Sequence, residues 1–167
     1  MKIIEPLNKS HNREQFDCGA EALNQFLRAT ARQHIHKGIS RTFVLSDRDC
    51  PQNIIGFFTL TLCEVRSEKL PPSLAKKYPL QIPGVKLARL AVDLQWQRQG
   101  IGEILMVEAM QRALLVADTA GGIGLFVDAK DEPAQSYYAR YGFIALEDNP
   151  LEMFLPLSLL RTLNLDR

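Results

Sequence analysis

The stretch Gln97-Arg98-Gln99-Gly100-Ile101-Gly102 has the residue types and spacing to capture an anion. It joins an apolar, strand-like run to a run with helical periodicity. The first N–H groups of a helix have no intrahelical acceptor and sit at the positive end of the helix dipole. Gly100 and Gly102 keep side chains out of the approach to those groups, and Gln97 and Arg98 can add donors. A phosphate or diphosphate is the ligand such a turn suits; the alternative is a glycine turn that serves only close helix–strand packing. A Walker-type loop is excluded, because no Gly-Lys-Ser/Thr follows. A dinucleotide fingerprint is excluded too, since Gly102 leads into Glu103-Ile104-Leu105 with no third glycine.

Other reactive residue types are sparse. Cys18, Cys50 and Cys63 cannot all pair, and no two have metal-ligand spacing, so reduced thiols and no metal site are expected. His11, His34 and His36 fall at or near the first expected helix, where a solvated or phosphate-facing state is expected. Tyr137, Tyr138 and Tyr141 cluster before Gly142 and supply the only grouped phenols.

The elements that must position these groups follow from periodicity. Residues 1–7 form a short first strand, and a helix spans about 20–36 with Leu23, Phe26, Leu27, Thr30 and Ala31 on its buried stripe. Residues 42–46 and 54–63 form two antiparallel strands around a loop of turn formers, 47–53. Four prolines within 67–84 predict a loop with at most one short helix. A strand over 85–93 breaks strict alternation, as one buried on both faces or kinked by a bulge would. The next helix starts near Gly100, with Ile101, Leu105, Ala109 and Ala113 at four-residue spacing, and ends at Gly121-Gly122. A short apolar strand follows at 123–127, then a helix opened by Asp131 and Pro133 and stopped by Gly142. Residues 143–146 and 152–155 make a last hairpin-like pair. The class is mixed α/β with one central sheet, in a single domain over 1–167.

With 167 residues, 46% hydrophobic and 23% charged, the chain has ordinary globular composition. No apolar run approaches the roughly 20 residues that span a bilayer, and the start lacks a secretory h-region, so a cytoplasmic protein is expected. The net charge of +1 hides an asymmetry: residues 1–100 carry 15 Lys/Arg against 9 Asp/Glu, and residues 101–167 carry 5 against 10. Basic groups run from Arg28 to Arg41 and from Arg66 to Arg89. Each is either a solvated face or a surface that attracts phosphates.

Four segments in order, Leu87-Ala-Arg-Leu-Ala-Val-Asp93, Gln97-x-x-Gly-x-Gly102, Val127-Asp-Ala-Lys-Asp131 and Ser136-Tyr-Tyr-Ala-Arg-Tyr-Gly-Phe143, resemble the GNAT acetyltransferase superfamily. Phe16-Asp-Cys-Gly19, Leu23-Asn24, Phe26-Leu27 and the ending Met153-Phe-Leu-Pro-Leu157 are similar to the GNAT toxins of bacterial toxin–antitoxin pairs. The resemblance implies a single GNAT-like α/β (mixed α+β) domain with a central, mixed, splayed sheet flanked by helices. It implies acetyl-CoA as co-substrate and no metal. The pyrophosphate would be held by Gln97, Arg98, Gln99, Gly100, Ile101 and Gly102, and the pantetheine arm by Leu90, Ala91 and Val92. The Val92 N–H would polarise the thioester carbonyl, and Tyr138 would protonate the departing thiolate.

For the toxin branch the implied acceptor is the α-amine of aminoacyl-tRNA, whose acetylation blocks translation. The implied partners are a cognate ribbon-helix-helix antitoxin and a second copy of the chain. Arg28, Arg32, Lys37, Arg41, Lys76, Lys77 and Arg89 are then candidates to flank the tRNA acceptor stem by shape and phosphates. No side chain stands out as general base, which suits an α-amine of pKa about 7.7–8.0 better than a lysine amine near 10.4. Alternative acceptors are a small amine or a protein N-terminus, and a non-enzymatic alternative is a CoA-binding or partner-binding module. One departure stands out: Asp128, Lys130 and Asp131 occupy the region where many GNAT proteins place an asparagine.

Overall fold

A computed structural model of the chain describes residues 1–163. Strands β1 (Lys2–Pro6), β2 (Arg41–Asp47), β3 (Gly56–Arg66), β4 (Gln81–Val92), β5 (Gly124–Asp128), β6 (Ile144–Ala145) and β7 (Glu152–Pro156) form one seven-stranded sheet. Its order is β1-β2-β3-β4-β5-β7-β6. The sheet is mixed: β4 and β5 pair parallel, while β1–β2, β2–β3, β5–β7 and β6–β7 pair antiparallel. Helices α1 (Glu21–Gln25), α2 (Ala31–Lys37), α3 (Pro72–Ala75), α4 (Ile101–Ala120), α5 (Glu132–Ala139) and α6 (Leu157–Thr162) complete the α/β fold. The parallel register of β4 with β5 covers Val85↔Leu125 to Leu87↔Val127 and stops there, while β4 continues to Val92.

The chain divides into two compact units, the first made of residues 1–61 and 88–109 and the second of residues 62–87 with the chain from Met110 onward. In the first unit Phe16, Phe26, Leu27, Val44 and Phe57 form a core with Ala91 of β4. Burying one such phenylalanine or leucine contributes roughly 1.5–3 kcal/mol. In the second, Leu70, Ile82, Phe126, Leu146 and Phe154 cluster, with Phe126 stacked on Phe154 at 4.6 Å between ring centroids. The expected apolar ladder of α4 is buried as predicted, from Ile101 through Leu105, Ala109 and Ala113.

Several expectations need correction. The helix expected at 20–36 is interrupted: Phe26–Thr30 is a π-helical turn, closed by the Ala31 N–H donating to the Phe26 carbonyl. The wider turn leaves the Arg28 carbonyl to Arg13, whose Nη1 donates to it at 2.6 Å. Strand β4 starts at Gln81 rather than 85, with Pro83 outside the β4–β5 ladder, and its carbonyl accepts from the Ile123 N–H. Helix α6, which starts after Pro156, was not anticipated. His11 is buried rather than solvated. Its Nδ1 accepts from the Asn8 N–H at 3.0 Å and its Nε2 lies 2.8 Å from Glu5 Oε1. His34 is half-buried with its ring edge against Phe26, and only His36 is exposed.

The Phe16–Asn24 segment is organised by one buried amide. Asn24 Oδ1 accepts from the Cys18 N–H at 2.9 Å, and its Nδ2 donates to Asp17 Oδ1 at 2.9 Å. The Gly19 N–H, and after it the Asn24 amide, hold the Asp17 carboxyl below the usual carboxylate range. Asn24→Ala strips the partner from a Cys18 N–H and is expected to cost about 2 kcal/mol. Chemical denaturation should show the midpoint falling with the m-value unchanged.

Candidate active site

In the first unit the chain leaves β4 at Val92 through a tightly tied corner. The Asp93 N–H donates to the Ile55 carbonyl at 2.9 Å. The Asp93 carboxylate accepts from the Gln95 N–H at 3.0 Å, capping the 3-10 turn Leu94–Trp96, and from the Asp17 N–H at 3.2 Å. Gln97 Nε2 then donates to the Val92 carbonyl at 2.8 Å and to the Cys18 carbonyl at 3.0 Å. Gln97 was expected to offer a donor to the ligand; its amide instead pins the turn to the strand end and to the Cys18 loop. Gln99 Nε2 likewise donates to the Gln95 carbonyl at 3.1 Å.

The turn itself is left-handed at two places. Arg98 has φ 62° and Gly100 φ 80°. For a residue with a Cβ this conformation costs roughly 1–2 kcal/mol. Among the described residues Arg98 has no hydrogen bond or ion pair, so its exposed guanidinium is available to an anion. A Cβ built on Gly100 would meet nothing within 4 Å, so open space lies in front of that residue. Ile101 is buried and fixes the start of α4, whose first bond runs from the Ile104 N–H to the Gly100 carbonyl at 3.3 Å. Gly102 stands in the first turn of α4, half-exposed. The arrangement is an immobilised helix start with an unobstructed approach, which is what diphosphate capture requires.

In the second unit α5 begins at Asp131, whose carboxylate accepts from the Ala134 N–H at 2.9 Å, with Pro133 in the first turn. It ends before Gly142, at φ 103°, where a Cβ would meet Leu159 at 2.8 Å. The two adjacent phenols on α5 differ. The Tyr137 hydroxyl lies 3.3 Å from that of Tyr141, and the Arg140 guanidinium stands 5.3 Å from its ring centroid. The Tyr138 ring packs edge-on against Phe143 at 5.6 Å, and among the described residues its hydroxyl has no hydrogen-bond partner. Burial raises the Tyr138 phenol above its ordinary value, so it stays protonated at neutral pH.

The basic residues are not equivalent. The Arg28 guanidinium pairs with Glu21 at 2.5 Å and donates to Gln25. Arg89 stacks over the Phe26 ring at 3.7 Å, and desolvation there lowers its pKa. Lys37 and Arg41 are exposed and Arg32 is half-buried, all in the first unit, whereas Lys76 and Lys77 are exposed just after α3 in the second. No sequence signal separated the engaged arginines from the open ones, because their partners are seven residues away in one case and on another element in the other. Among the described residues no group of three metal-ligating side chains occurs. The cysteines are free; burial pushes the Cys63 thiol up to about 11 and raises Cys18 as well.

A family model described as acetyltransferase (GNAT) domain matches residues 8–154, which contain the turn, β4, α4, β5 and α5. The chain belongs to the GNAT acetyltransferase family. This GNAT chain is 31% identical to a tRNA-acetylating toxin of Mycobacterium tuberculosis over 84% of its own length and 82% of that protein. Its fold is similar to that of AtaT complexed with acetyl-methionyl-tRNAfMet, with TM-score 0.90 and 33% identity, over 96% of this chain and 98% of that one. It is also similar to an AtaT variant bound to the C-terminus of the antitoxin AtaR and acetyl-CoA, with TM-score 0.79 and 32% identity, over 97% of this chain and 99% of that one.

Proposed function

We propose that this GNAT acetyltransferase moves the acetyl group of acetyl-CoA to the α-amine of aminoacyl-tRNA, so that the chain acts as a translation-blocking toxin held in check by an antitoxin. The observation that carries this reading is the near-complete overlay on AtaT complexed with acetyl-methionyl-tRNAfMet. The similarity to an AtaT variant bound to the AtaR C-terminus and acetyl-CoA supports the antitoxin and the co-substrate. We further propose a ribbon-helix-helix antitoxin, a homodimer, and residence in the cytoplasm, where charged tRNA is found. No described helix is long and apolar enough to cross a membrane. The single family match over 8–154 crosses both compact units, which supports one acetyltransferase domain for the whole chain.

The residues suit the roles. Acetyl-CoA supplies an acetyl group activated as a thioester. Gly100, Gly102 and the start of α4 hold its diphosphate, with Arg98 adding a charge-assisted contact. The β4 end, Leu90 to Val92, lies beyond the β5 register and offers its main chain to the pantetheine arm. The Val92 N–H is the donor proposed to stabilise the developing oxyanion. Tyr138, neutral and with no hydrogen-bond partner for its hydroxyl among the described residues, gives its proton to the departing thiolate. An unprotonated α-amine attacks, its excess proton leaves to solvent, and the Tyr138 phenolate takes a proton back from solvent. The exposed Lys37, Arg41, Lys76 and Lys77 and the half-buried Arg32 remain the stronger candidates for tRNA phosphates, with Arg28 and Arg89 partly engaged by their own unit.

Wild-type protein with labelled acetyl-CoA and total charged tRNA should place label in the tRNA fraction, and induced expression should arrest growth. Label in a small-molecule or protein fraction instead would replace this reading. The pH profile follows from the two titrating groups. The acceptor amine, below about 8 once its carboxyl is esterified, must lose a proton, so kcat/KM rises with pH and levels off near pH 8. Tyr138 must keep its proton, and burial holds it above the ordinary phenol range, so no descending limb is expected below pH 10. Initial rates on freshly charged tRNA between pH 6 and about 9.5 check this; a fall above pH 8 would remove Tyr138 from the role.

A further inference from the structure

We infer that Asn24, buried on α1, is a positioning residue for the co-substrate, acting through Cys18 and Gln97 to preset the turn at 97–102; this rests on the placement of the acetyl-CoA diphosphate at that turn. Asn24 is 3% exposed and is the one buried residue of α1. An amide is a costly choice at such a position unless its polar atoms are paired, and an apolar side chain would serve packing alone. Its oxygen takes the Cys18 N–H and its nitrogen donates to the Asp17 carboxylate, so both ends of the amide grip the segment 17–19.

That segment is tied in turn to the corner after β4, and all of these residues lie in the first unit. The Leu94 N–H donates to the Asp17 carbonyl at 2.8 Å, and the Asp17 N–H donates to the Asp93 carboxylate. Gly19, at φ 89°, lies so near Leu94 that a Cβ would stand 3.2 Å from its Cδ2. Cys18 joins the two sides: its N–H goes to Asn24, and its carbonyl accepts from Gln97 Nε2. The same Gln97 amide reaches the Val92 carbonyl, and Arg98, next in the chain, is left-handed. A residue with a Cβ keeps that conformation only where its surroundings fix it. A turn fixed before the ligand arrives lowers the cost of binding it. Loss of Asn24 therefore weakens capture of acetyl-CoA and spares the chemical step.

Asn24→Ala should raise Kd and KM for acetyl-CoA about ten-fold, while kcat at saturating acetyl-CoA and charged tRNA stays within about three-fold. Gln97→Met tests the same route from its exposed end, without opening the buried amide, and should weaken binding to a similar degree. The double variant should bind at most about three-fold worse than the weaker single one, whereas independent losses would multiply to about a hundred-fold. Thr42→Val, which breaks the buried hydroxyl pair with Thr59 between β2 and β3, is the stability control. It should lower the melting midpoint and leave Kd within about two-fold. Calorimetric titration of acetyl-CoA gives each Kd without any acceptor, and circular dichroism checks each fold. An Asn24→Ala or Gln97→Met protein that binds like wild type overturns the inference, as do losses that multiply or an equal loss in Thr42→Val. A Gly100→Val protein that binds like wild type instead removes the placement of the diphosphate, and this inference with it.

Discussion

Tyr138→Phe should lower kcat by 10²–10³ while leaving the affinity for acetyl-CoA within about two-fold of wild type. The substitution removes one oxygen that has no hydrogen-bond partner among the described residues, and it keeps the ring that packs on Phe143. The fold therefore loses almost nothing, and the loss falls on a transition-state contact, about 3–4 kcal/mol of barrier. The proton transfer itself explains why position matters. A thiol of pKa near 8.5 is a stronger acid than a phenol at 10, so protonating free thiolate is uphill by at least about 2 kcal/mol. Burial lifts the Tyr138 phenol further, so its proton must move as the carbon–sulfur bond breaks. Tyr137→Phe supplies the contrast: its hydroxyl faces Tyr141 at 3.3 Å, and its removal should change kcat less than three-fold. Thiol release under saturating acceptor measures both. A larger loss at Tyr137 than at Tyr138 would reverse the assignment.

What could be seen in the sequence was what depends on neighbours a few residues apart. The glycine turn, the four-residue ladder of α4, and the Asp131 and Gly142 boundaries of α5 are such features, and all appear within a residue or two. Features that depend on distant partners were hidden. The π-helical turn at Phe26–Thr30 keeps the apolar stripe almost in phase, and the group that meets the Arg28 carbonyl is Arg13, outside the helix. Strand β4 reaches back to Gln81 although Pro83 and Gly84 look like a loop; the β4–β5 register begins only at Val85, so the missing proline N–H costs no bond to β5. Of the proposed site residues, the glycines and Tyr138 are singled out in the sequence by spacing and resemblance. Gln97 was not: an amide reads as a donor, but which acceptor it meets depends on Val92 and on Cys18, 79 residues away. Charge was the least legible of all. Arg28, Arg89, Lys37 and Arg41 look alike in the sequence, yet the first two are already occupied by Glu21 and by the Phe26 ring.

Gly100→Val should abolish measurable acetyl-CoA binding, raising Kd at least 100-fold, with the protein still folded. Two costs combine. At φ 80° a β-branched residue is strained by roughly 1–3 kcal/mol, which tends to pull the turn out of shape. The side chain also enters the open space in front of the helix start, where nothing within 4 Å would obstruct it but where the diphosphate must come. Because that space is solvent, no core contact is broken, and the thermal midpoint should drop by only a few degrees, about 1–2 kcal/mol for a domain of this size. Gly100→Ala separates the two terms. It carries most of the strain and little of the bulk, so an intermediate affinity is expected, whereas equal losses in both variants would put the whole effect on backbone shape. Calorimetric titration of acetyl-CoA into each folded variant gives the answer. A Gly100→Val protein that binds the co-substrate like wild type would mean that the diphosphate lies elsewhere, and the turn at 97–102 would then be a packing device alone.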